Sequence, residues 1–199
     1  MSDTPVQRRP LALSVFLIVA AVVGLIAAFV LTLEKFHLLE DPDASLSCDF
    51  GLVVQCGANL KSWQGSLFGF PNPIIGLVGW TSVLVVGVGL LAGARFPRWF
   101  WLTFNVGLLG ALVFVIWLIS QSIFVLGTLC PWCMVTWSVT IPSFIAVTLY
   151  NLREGTIPGG PGVRRVAGAL YGWVPAITVG CYLVIAIIAQ LRLDVISYL

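Results

Sequence analysis

Charged residues are scarce in this chain of 199 residues: Asp, Glu, Lys and Arg make up 9% of it, while hydrophobic residues make up 59%. A soluble globular domain normally carries about 25% charged residues. This shortage excludes an ordinary soluble protein and predicts an integral membrane protein, and no nucleic-acid partner is expected. Tiled alternation of apolar and polar residues is also missing, which argues against a membrane β-barrel and favours spanning helices.

Signatures of the common bound redox groups are missing as well. The sequence contains no flavin-binding or nucleotide-binding motif and a single histidine, His37, which is interpreted as an interfacial residue. A c-type haem needs a histidine directly after its second cysteine, and Met134 stands at that position here. The sequence therefore gives no reason to expect a bound flavin, nucleotide or c-type haem.

Five apolar stretches are each long enough to cross a bilayer, which takes about 20 helical residues. They cover residues 11–36, 73–94, 99–121, 131–150 and 166–191. We predict an all-α integral membrane fold, with a four-helix transmembrane bundle followed by a fifth transmembrane helix. The first stretch is much longer than the core of a cleaved signal peptide, and no clear cleavage site follows it.

The basic residues are distributed unequally between the two ends of these predicted spans. One side carries Arg8, Arg9, Arg95, Arg98, Arg153, Arg164 and Arg165. The other side carries Lys61 and Arg192 together with most of the acidic residues. Because Lys and Arg are enriched in cytoplasmic loops, this bias predicts a cytoplasmic N-terminus and a C-terminus outside the cytoplasm.

The predicted organisation is one membrane domain divided by its loops. It has a cytoplasmic tail at 1–10, a four-helix core at 11–151 with an outer loop at 37–72, a cytoplasmic loop at 152–165, and the fifth helix with the outer C-terminus at 166–199. Trp63, Phe68 and Phe70 in the outer loop are expected at the membrane interface, where aromatic rings are favoured.

Two cysteine pairs fall on the predicted outer side, where an oxidising compartment lets disulfides persist. Cys48 and Cys56 lie in the outer loop, and Cys130 and Cys133 lie where a loop enters the fourth span. The unpaired N–H groups and the dipole of a helix N-terminus favour a thiolate, the reactive form, on Cys130. Cys133 follows one helical turn deeper and is expected to point into the bundle. Together the pairs suggest a relay of thiol–disulfide exchange.

Two other interpretations of the paired cysteines remain open at this point. A four-cysteine zinc site would use all four thiols, although C-x7-C is not the usual ligand spacing. Two structural disulfides are the stronger alternative, although a C-x-x-C ring is small and gains little stability from loop closure. The fifth cysteine, Cys181, lies in the middle of the last span and is interpreted as a small buried hydrophobic residue.

The pattern Cys48-Asp49-Phe50-Gly51 with a second cysteine at 56, followed by C-x-x-C at the start of the fourth span, resembles the vitamin K epoxide reductase family. It is most similar to the bacterial homologues that oxidise periplasmic thiols. The resemblance covers about residues 10–151. Many bacterial members carry a fused thioredoxin-like domain that these residues do not include, so the resemblance implies a separate partner, a periplasmic thioredoxin-fold oxidase of the DsbA type.

The resemblance also implies a role for each site residue. Cys48 would exchange with the thiols of the partner, Cys56 would pass electrons to Cys130, and Cys133 would reduce a quinone held between the helices. Asn72 matches an asparagine of the family and would hydrogen-bond a quinone carbonyl. Trp137 stands where vertebrate members have a tyrosine, and its indole N–H would donate to the other carbonyl or its ring would wall the pocket.

The implied function is a quinone-dependent thiol–disulfide oxidoreductase in the bacterial plasma membrane, with its active site on the extracytoplasmic face. It would re-oxidise the DsbA-like partner with a quinone of the menaquinone or ubiquinone type. A DsbA-type oxidant has a potential of roughly −120 mV, so its acceptor must have a higher one. One alternative is a quinone or quinone-epoxide reductase that serves quinone recycling. The other is a non-enzymatic membrane scaffold braced by structural disulfides.

Overall fold

The computed structural model describes residues 10–198, and the regular secondary structure within that range is entirely helical. The helices are α1 (Leu11–Glu40), α2 (Gly57–Lys61), α3 (Asn72–Ala92), α4 (Arg98–Gln121), α5 (Pro131–Arg153), α6 (Pro161–Tyr171) and α7 (Val174–Leu193). Short 3₁₀ turns cover Trp63–Ser66 and Val195–Tyr198, and a π turn covers Ser122–Leu126. Among the described residues, α1, α3, α4, α5 and α7 are long and apolar enough to cross a membrane.

Proline and glycine set the ends of several of these helices. Pro73 and Pro131 lie in the first turns of α3 and α5, where the missing N–H of proline costs no helical hydrogen bond. Gly93 ends α3 in the left-handed conformation, with φ of 92°, which glycine adopts without steric cost. The start of α3, the start of α5 and the end of α3 are therefore determined by local sequence.

Helix α1 lies at the centre of the bundle, with α3 packed on one side and α5 on the other. The contact with α3 is close at Gly24, where an added Cβ would lie 2.2 Å from the indole ring of Trp80. Helix α4 packs against α5, whereas α3 and α4 lie apart. The four helices thus form a bundle that is open along the side between α3 and α4.

The last span differs from its predicted boundaries. Residues 161–171 form α6, a separate amphipathic helix packed on α5, and α7 begins only at Val174. Sequence reasoning placed the start at residue 166 because the apolar residues of α6 run on into those of α7. The break comes at Gly172 and Trp173, directly before Pro175 in the first turn of α7. The orientation of the chain ends stays a prediction.

Residues 41–71, which we call the cap loop, fold over one end of the bundle. The ammonium group of Lys35 at the end of α1 donates to the carbonyl of Leu60, with Nζ and O 2.6 Å apart. The ring of Trp63 lies 5.8 Å from that of Trp117. The ring of Phe68 lies 5.8 Å from that of Phe114. The cap loop is therefore anchored on both α1 and α4.

Candidate functional site

The first cysteine pair forms a disulfide inside the cap loop. Cys48 and Cys56 are joined by an S–S bond, with their Cα atoms 5.7 Å apart. Both side chains are buried in an apolar cluster at the end of the bundle, together with Leu46, Leu60 and Cys130. The loop pair is therefore packed against the second cysteine pair rather than displayed on a free arm.

Asp49 organises the backbone around this disulfide. Its Oδ1 accepts hydrogen bonds from the N–H groups of Cys56 and Gly57, at 2.8 and 3.0 Å. Its Oδ2 accepts a third hydrogen bond from the N–H of Leu46, at 3.3 Å. A carboxylate that accepts several N–H groups makes strong, charge-assisted hydrogen bonds. Asp49 thereby ties together the two ends of the segment that the disulfide closes.

A second contact aligns the cap loop with the segment before α5. Val54 and Leu129 form an isolated parallel β-bridge. The N–H of Leu129 donates to the carbonyl of Val53 at 2.7 Å, and the N–H of Gln55 donates to the carbonyl of Leu129 at 3.0 Å. Cys56 directly follows the first bridging segment, and Cys130 follows the second. The bridge therefore sets the register that brings one cysteine of each pair together.

The two pairs meet at Cys56 and Cys130, whose sulfur atoms are 3.4 Å apart. Cys130 is fully buried and caps the N-terminus of α5, where its sulfur accepts a hydrogen bond from the N–H of Cys133 at 3.3 Å. The hydrogen bond from the Cys133 thiol lowers the pKa of Cys130, and the backbone N–H groups of Cys133 and Trp132 lower it further. These effects outweigh burial and the charge of Asp49, which both raise it. The pKa of Cys130 is therefore lowered, which is the direction that a position at a helix N-terminus predicts.

Cys133 faces an elongated cavity of about 570 Å³ that lies between α3 and α4 and reaches the cap loop. The lining runs along α4 from Thr103 to Gln121, which is about 27 Å at 1.5 Å per residue. Amide side chains gather at the cap-loop end, namely Asn59, Gln64, Asn72 and Gln121. The remainder is mostly apolar and includes glycines on both helices. The cavity therefore has one polar end, next to Cys133, and a long apolar part.

Glycines keep the apolar part of the cavity open. An added Cβ at Gly79 of α3, or at Gly107 or Gly110 of α4, would meet no atom within 4 Å. All three glycines line the cavity. Larger side chains at these positions would fill this space, so the three glycines keep the cavity between the two helices open.

The two residues expected to contact a quinone have different surroundings. Asn72 lines the cavity, but its Nδ2 donates to the carbonyl of Gln64 at 2.6 Å and its Oδ1 accepts from the N–H of Leu67 at 3.1 Å. Trp137 is buried in a cluster with Ile119, Ile123 and Ala189, away from the cavity lining. The face of α5 towards the cavity carries Cys133, Thr136 and Thr140, and the role expected for Trp137 stays a prediction.

Several residues of the site escaped the sequence reasoning. Asp49 was noted only as part of a motif, although its position between the two loop cysteines could have suggested a cap for their backbone. Thr136 and Thr140 follow Cys133 at helical spacing and were detectable by that period. The hydrogen bond between Gln64 and Gln121 joins residues far apart in sequence, and no local sequence pattern predicts it. Cys181 lies in α7, apart from both pairs.

A metal centre finds no support among residues 10–198, where no group of three His, Cys, Asp or Glu side chains is placed to hold an ion. The disulfide between Cys48 and Cys56 also occupies two of the four sulfurs that a zinc site would need. The arrangement of the four cysteines is instead a line of sulfurs, which leads from the cap loop to the cavity.

Comparison with known proteins agrees with this geometry. A model of the vitamin K epoxide reductase family matches residues 15–148. The matched region covers more than half of the chain and includes both cysteine pairs and the cavity. A search of curated proteins finds no match for the chain.

Proposed function

Because the chain belongs to the vitamin K epoxide reductase family, whose members are oxidoreductases, we propose that it is a quinone-dependent thiol oxidase of a bacterial plasma membrane. It takes electrons from a thioredoxin-fold, DsbA-like partner on the extracytoplasmic side and passes them to a membrane quinone. The observation that carries the proposal is the 3.4 Å distance between the sulfurs of Cys56 and Cys130, since it joins the cap-loop disulfide to the cavity.

The electron path begins with exchange at the cap loop. A thiolate of the partner attacks Cys48 and releases Cys56 as a thiolate, and the second thiol of the partner then breaks the mixed disulfide. The partner leaves oxidised, and Cys48 and Cys56 have gained two electrons. Exchange of this kind passes through a mixed disulfide and depends on access of the attacking thiolate to a sulfur.

The second exchange moves the same two electrons to the cavity. Cys56 attacks the sulfur of Cys130 in a Cys130–Cys133 disulfide, and Cys133 leaves. Cys48 then attacks Cys56, which restores the cap-loop disulfide and releases Cys130. The resulting state has a closed Cys48–Cys56 disulfide and two free thiols at 130 and 133, which is the arrangement in the structure. The lowered pKa of Cys130 suits it as a leaving group, since thiols of lower pKa leave faster.

Cys130 and Cys133 finally give two electrons to a quinone and become a disulfide again, while one proton of the hydroquinone comes from the Cys133 thiol and the other from solvent. The residues of the cavity fit such an acceptor. Its polar end next to Cys133 suits a ring with two oxygens, and the apolar remainder of a cavity that runs about 27 Å along α4 suits an isoprenoid tail. A buried amide oxygen without a hydrogen-bond partner, Oε1 of Gln64, and the open space at Gly79 and Gly107 support the fit. The quinone supplies the oxidising power, and the chain supplies the path.

The proposed orientation rests on charge. Arg95, Arg98, Arg153, Arg164 and Arg165 all lie at the end of the bundle opposite the cap loop, and basic residues mark the cytoplasmic side. The cap loop, which holds the partner's target disulfide, would then face the oxidising compartment. A DsbA-like oxidase is a suitable partner, because its dithiol must be re-oxidised there.

The test uses the full chain in lipid nanodiscs with a reduced thioredoxin-fold dithiol protein and a short-chain ubiquinone. Wild-type protein should convert one dithiol to a disulfide for each quinone reduced, followed by the absorbance of the quinone. Cys133→Ala should abolish quinone reduction, while the matched control Cys181→Ala should retain it. Quinone reduction that persists in Cys133→Ala, or that needs no Cys48–Cys56 pair, would disprove the path. A naphthoquinone run in parallel distinguishes the menaquinone from the ubiquinone type.

A further inference from the structure

The polar end of the cavity contains a pair of glutamine side chains, Gln64 and Gln121, to which the electron path assigns no role. Nε2 of Gln64 donates a hydrogen bond to Oε1 of Gln121, with the atoms 3.2 Å apart. Gln64 is 3% exposed, and its own Oε1 is buried and has no hydrogen-bond partner among the described residues. Both side chains line the cavity, as does Cys133. A buried amide oxygen without a partner is unfavourable and uncommon, so this atom points to a ligand that donates a hydrogen.

Gln64 is held in place by its backbone rather than by its side chain. Asn72 donates through Nδ2 to the carbonyl of Gln64 at 2.6 Å. The next residue, Gly65, donates its N–H to the side chain of Ser62 at 3.3 Å. An added Cβ on Gly65 would lie 2.5 Å from the carbonyl oxygen of Asn59, so the turn is closely packed. The amide of Gln64 is therefore presented to the cavity from a fixed main chain, and Asn72 serves it as a positioning residue.

We propose that Gln64 and Gln121 form an amide pair that binds one ring oxygen of the acceptor in both of its redox states. This inference rests on the proposed function and assigns the headgroup contact to residues other than Asn72 and Trp137. In the arrangement of the structure, the free Oε1 of Gln64 accepts a hydrogen bond from a hydroxyl of the hydroquinone.

The same pair can serve the oxidised ring by turning both amide groups by half a turn. Nε2 of Gln121 then donates to Oε1 of Gln64, so the hydrogen bond between the two side chains is kept. Nε2 of Gln64 becomes the free group and donates to a quinone carbonyl. An amide carries both an acceptor oxygen and an NH₂ donor, which a hydrocarbon or a carboxylate side chain does not. The pair donates or accepts hydrogen bonds only, while the two electrons of the reduction come from Cys130 and Cys133.

The first measurement is the dissociation constant of a short-chain ubiquinone for the protein in nanodiscs, determined from quenching of tryptophan fluorescence. Gln64→Leu and Gln121→Leu should each weaken binding about tenfold, the value of one hydrogen bond of about 1.4 kcal/mol. The double variant should be little worse than either single variant, since the two amides act as a unit. Gln190→Leu, a matched change in α7 outside the cavity lining, should bind as the wild type does.

The second measurement is the infrared carbonyl band of ¹³C-labelled quinone bound to the wild type. A hydrogen bond from Gln64 should shift one labelled carbonyl to lower frequency, and Gln64→Leu should reverse the shift. An unshifted carbonyl in the wild type would overturn the assignment without any variant. Exchange between the partner dithiol and Cys48–Cys56 should stay within about twofold in all variants and serves as the folding control.

The two proposals fail in different ways. A wild-type protein that binds and reduces no quinone contradicts the proposed function. A wild-type protein that does both, with unchanged affinity in Gln64→Leu and Gln121→Leu, contradicts the amide pair alone.

Discussion

Replacing Asp49 by asparagine should loosen the cap loop while leaving its size unchanged. The carboxylate accepts three backbone hydrogen bonds, from Leu46, Cys56 and Gly57. Asparagine keeps one oxygen for Cys56 and Gly57 but turns an NH₂ donor towards the N–H of Leu46. Hydrogen bonds to a charged group contribute about 1.5–3 kcal/mol each, and neutral ones contribute about 1 kcal/mol. Loss of the bond to Leu46 alone should therefore cost about 2 kcal/mol of loop stability.

This loss has a direct chemical readout, because Cys48 is only 2% exposed and an attacking thiol must wait for the cap loop to open. A destabilisation of about 2 kcal/mol raises the open population by a factor of about 30. We expect dithiothreitol to reduce the Cys48–Cys56 disulfide of Asp49→Asn faster than that of the wild type by about this factor. The rate is measured by quenching with a maleimide reagent and counting the labelled cysteines by mass.

The matched control is Asp43→Asn, which neutralises an exposed carboxylate of the same cap loop. It removes the same charge near the site, so it separates loop packing from electrostatics. Equal reduction rates in Asp49→Asn, Asp43→Asn and the wild type would refute the reasoning, because they would show that the carboxylate of Asp49 does not hold the loop closed.

Three further outcomes are expected. Gln55→Pro removes the N–H that donates to Leu129, so electron transfer from the cap-loop pair to Cys130 should slow at least tenfold in stopped-flow measurements, whereas Gln55→Ala should not slow it. Gly107→Leu projects into open space and should keep the melting temperature of the protein while weakening quinone binding more than tenfold; Gly24→Ala meets Trp80 and should lower the melting temperature instead. The pKa of Cys130 is lowered, so its thiolate should persist below the pH at which an ordinary cysteine is protonated. The absorbance at 240 nm measures the thiolate, and the part that is lost in Cys130→Ser belongs to Cys130. This part should disappear as the pH falls through the pKa of Cys130.

The spans and the cysteine motif could be predicted because their signals are local. Hydropathy alone identified the five long helices, since a run of about 20 apolar residues has few other stable solutions in a membrane chain. The position of Cys130 at a helix N-terminus followed from Pro131 and the apolar run behind it. The start of α7 was not predicted, because the apolar residues of α6 run on into those of α7 and hide the break at Gly172 and Trp173.

The contacts that build the site are non-local, and this explains why sequence reasoning missed them. The bridge between Val54 and Leu129 and the hydrogen bond between Gln64 and Gln121 join segments that no periodicity connects. Trp137 lies outside the cavity lining for a geometric reason. It lies four positions after Cys133, near enough in rotation to be assigned to the same face, but the small difference turns its ring towards α7 while Thr136 and Thr140 face the cavity.

The burial of the cysteine sulfurs limits where thiols and a membrane-soluble acceptor can reach the proposed relay. Cys48, Cys56 and Cys130 are all at most 2% exposed, whereas Cys133 opens onto the cavity. A soluble thiol therefore reaches the path only when the cap loop opens around Cys48, and a membrane-soluble acceptor reaches it only from the side between α3 and α4. Because exchange requires contact between sulfurs, the burial of Cys130 and the closed cap loop are enough to keep small soluble thiols from Cys130 and Cys133. Asp49 and the Val54–Leu129 bridge hold the cap loop so that Cys56 lies against Cys130. In the proposed relay they would also keep small soluble thiols from reducing Cys130 and Cys133 directly.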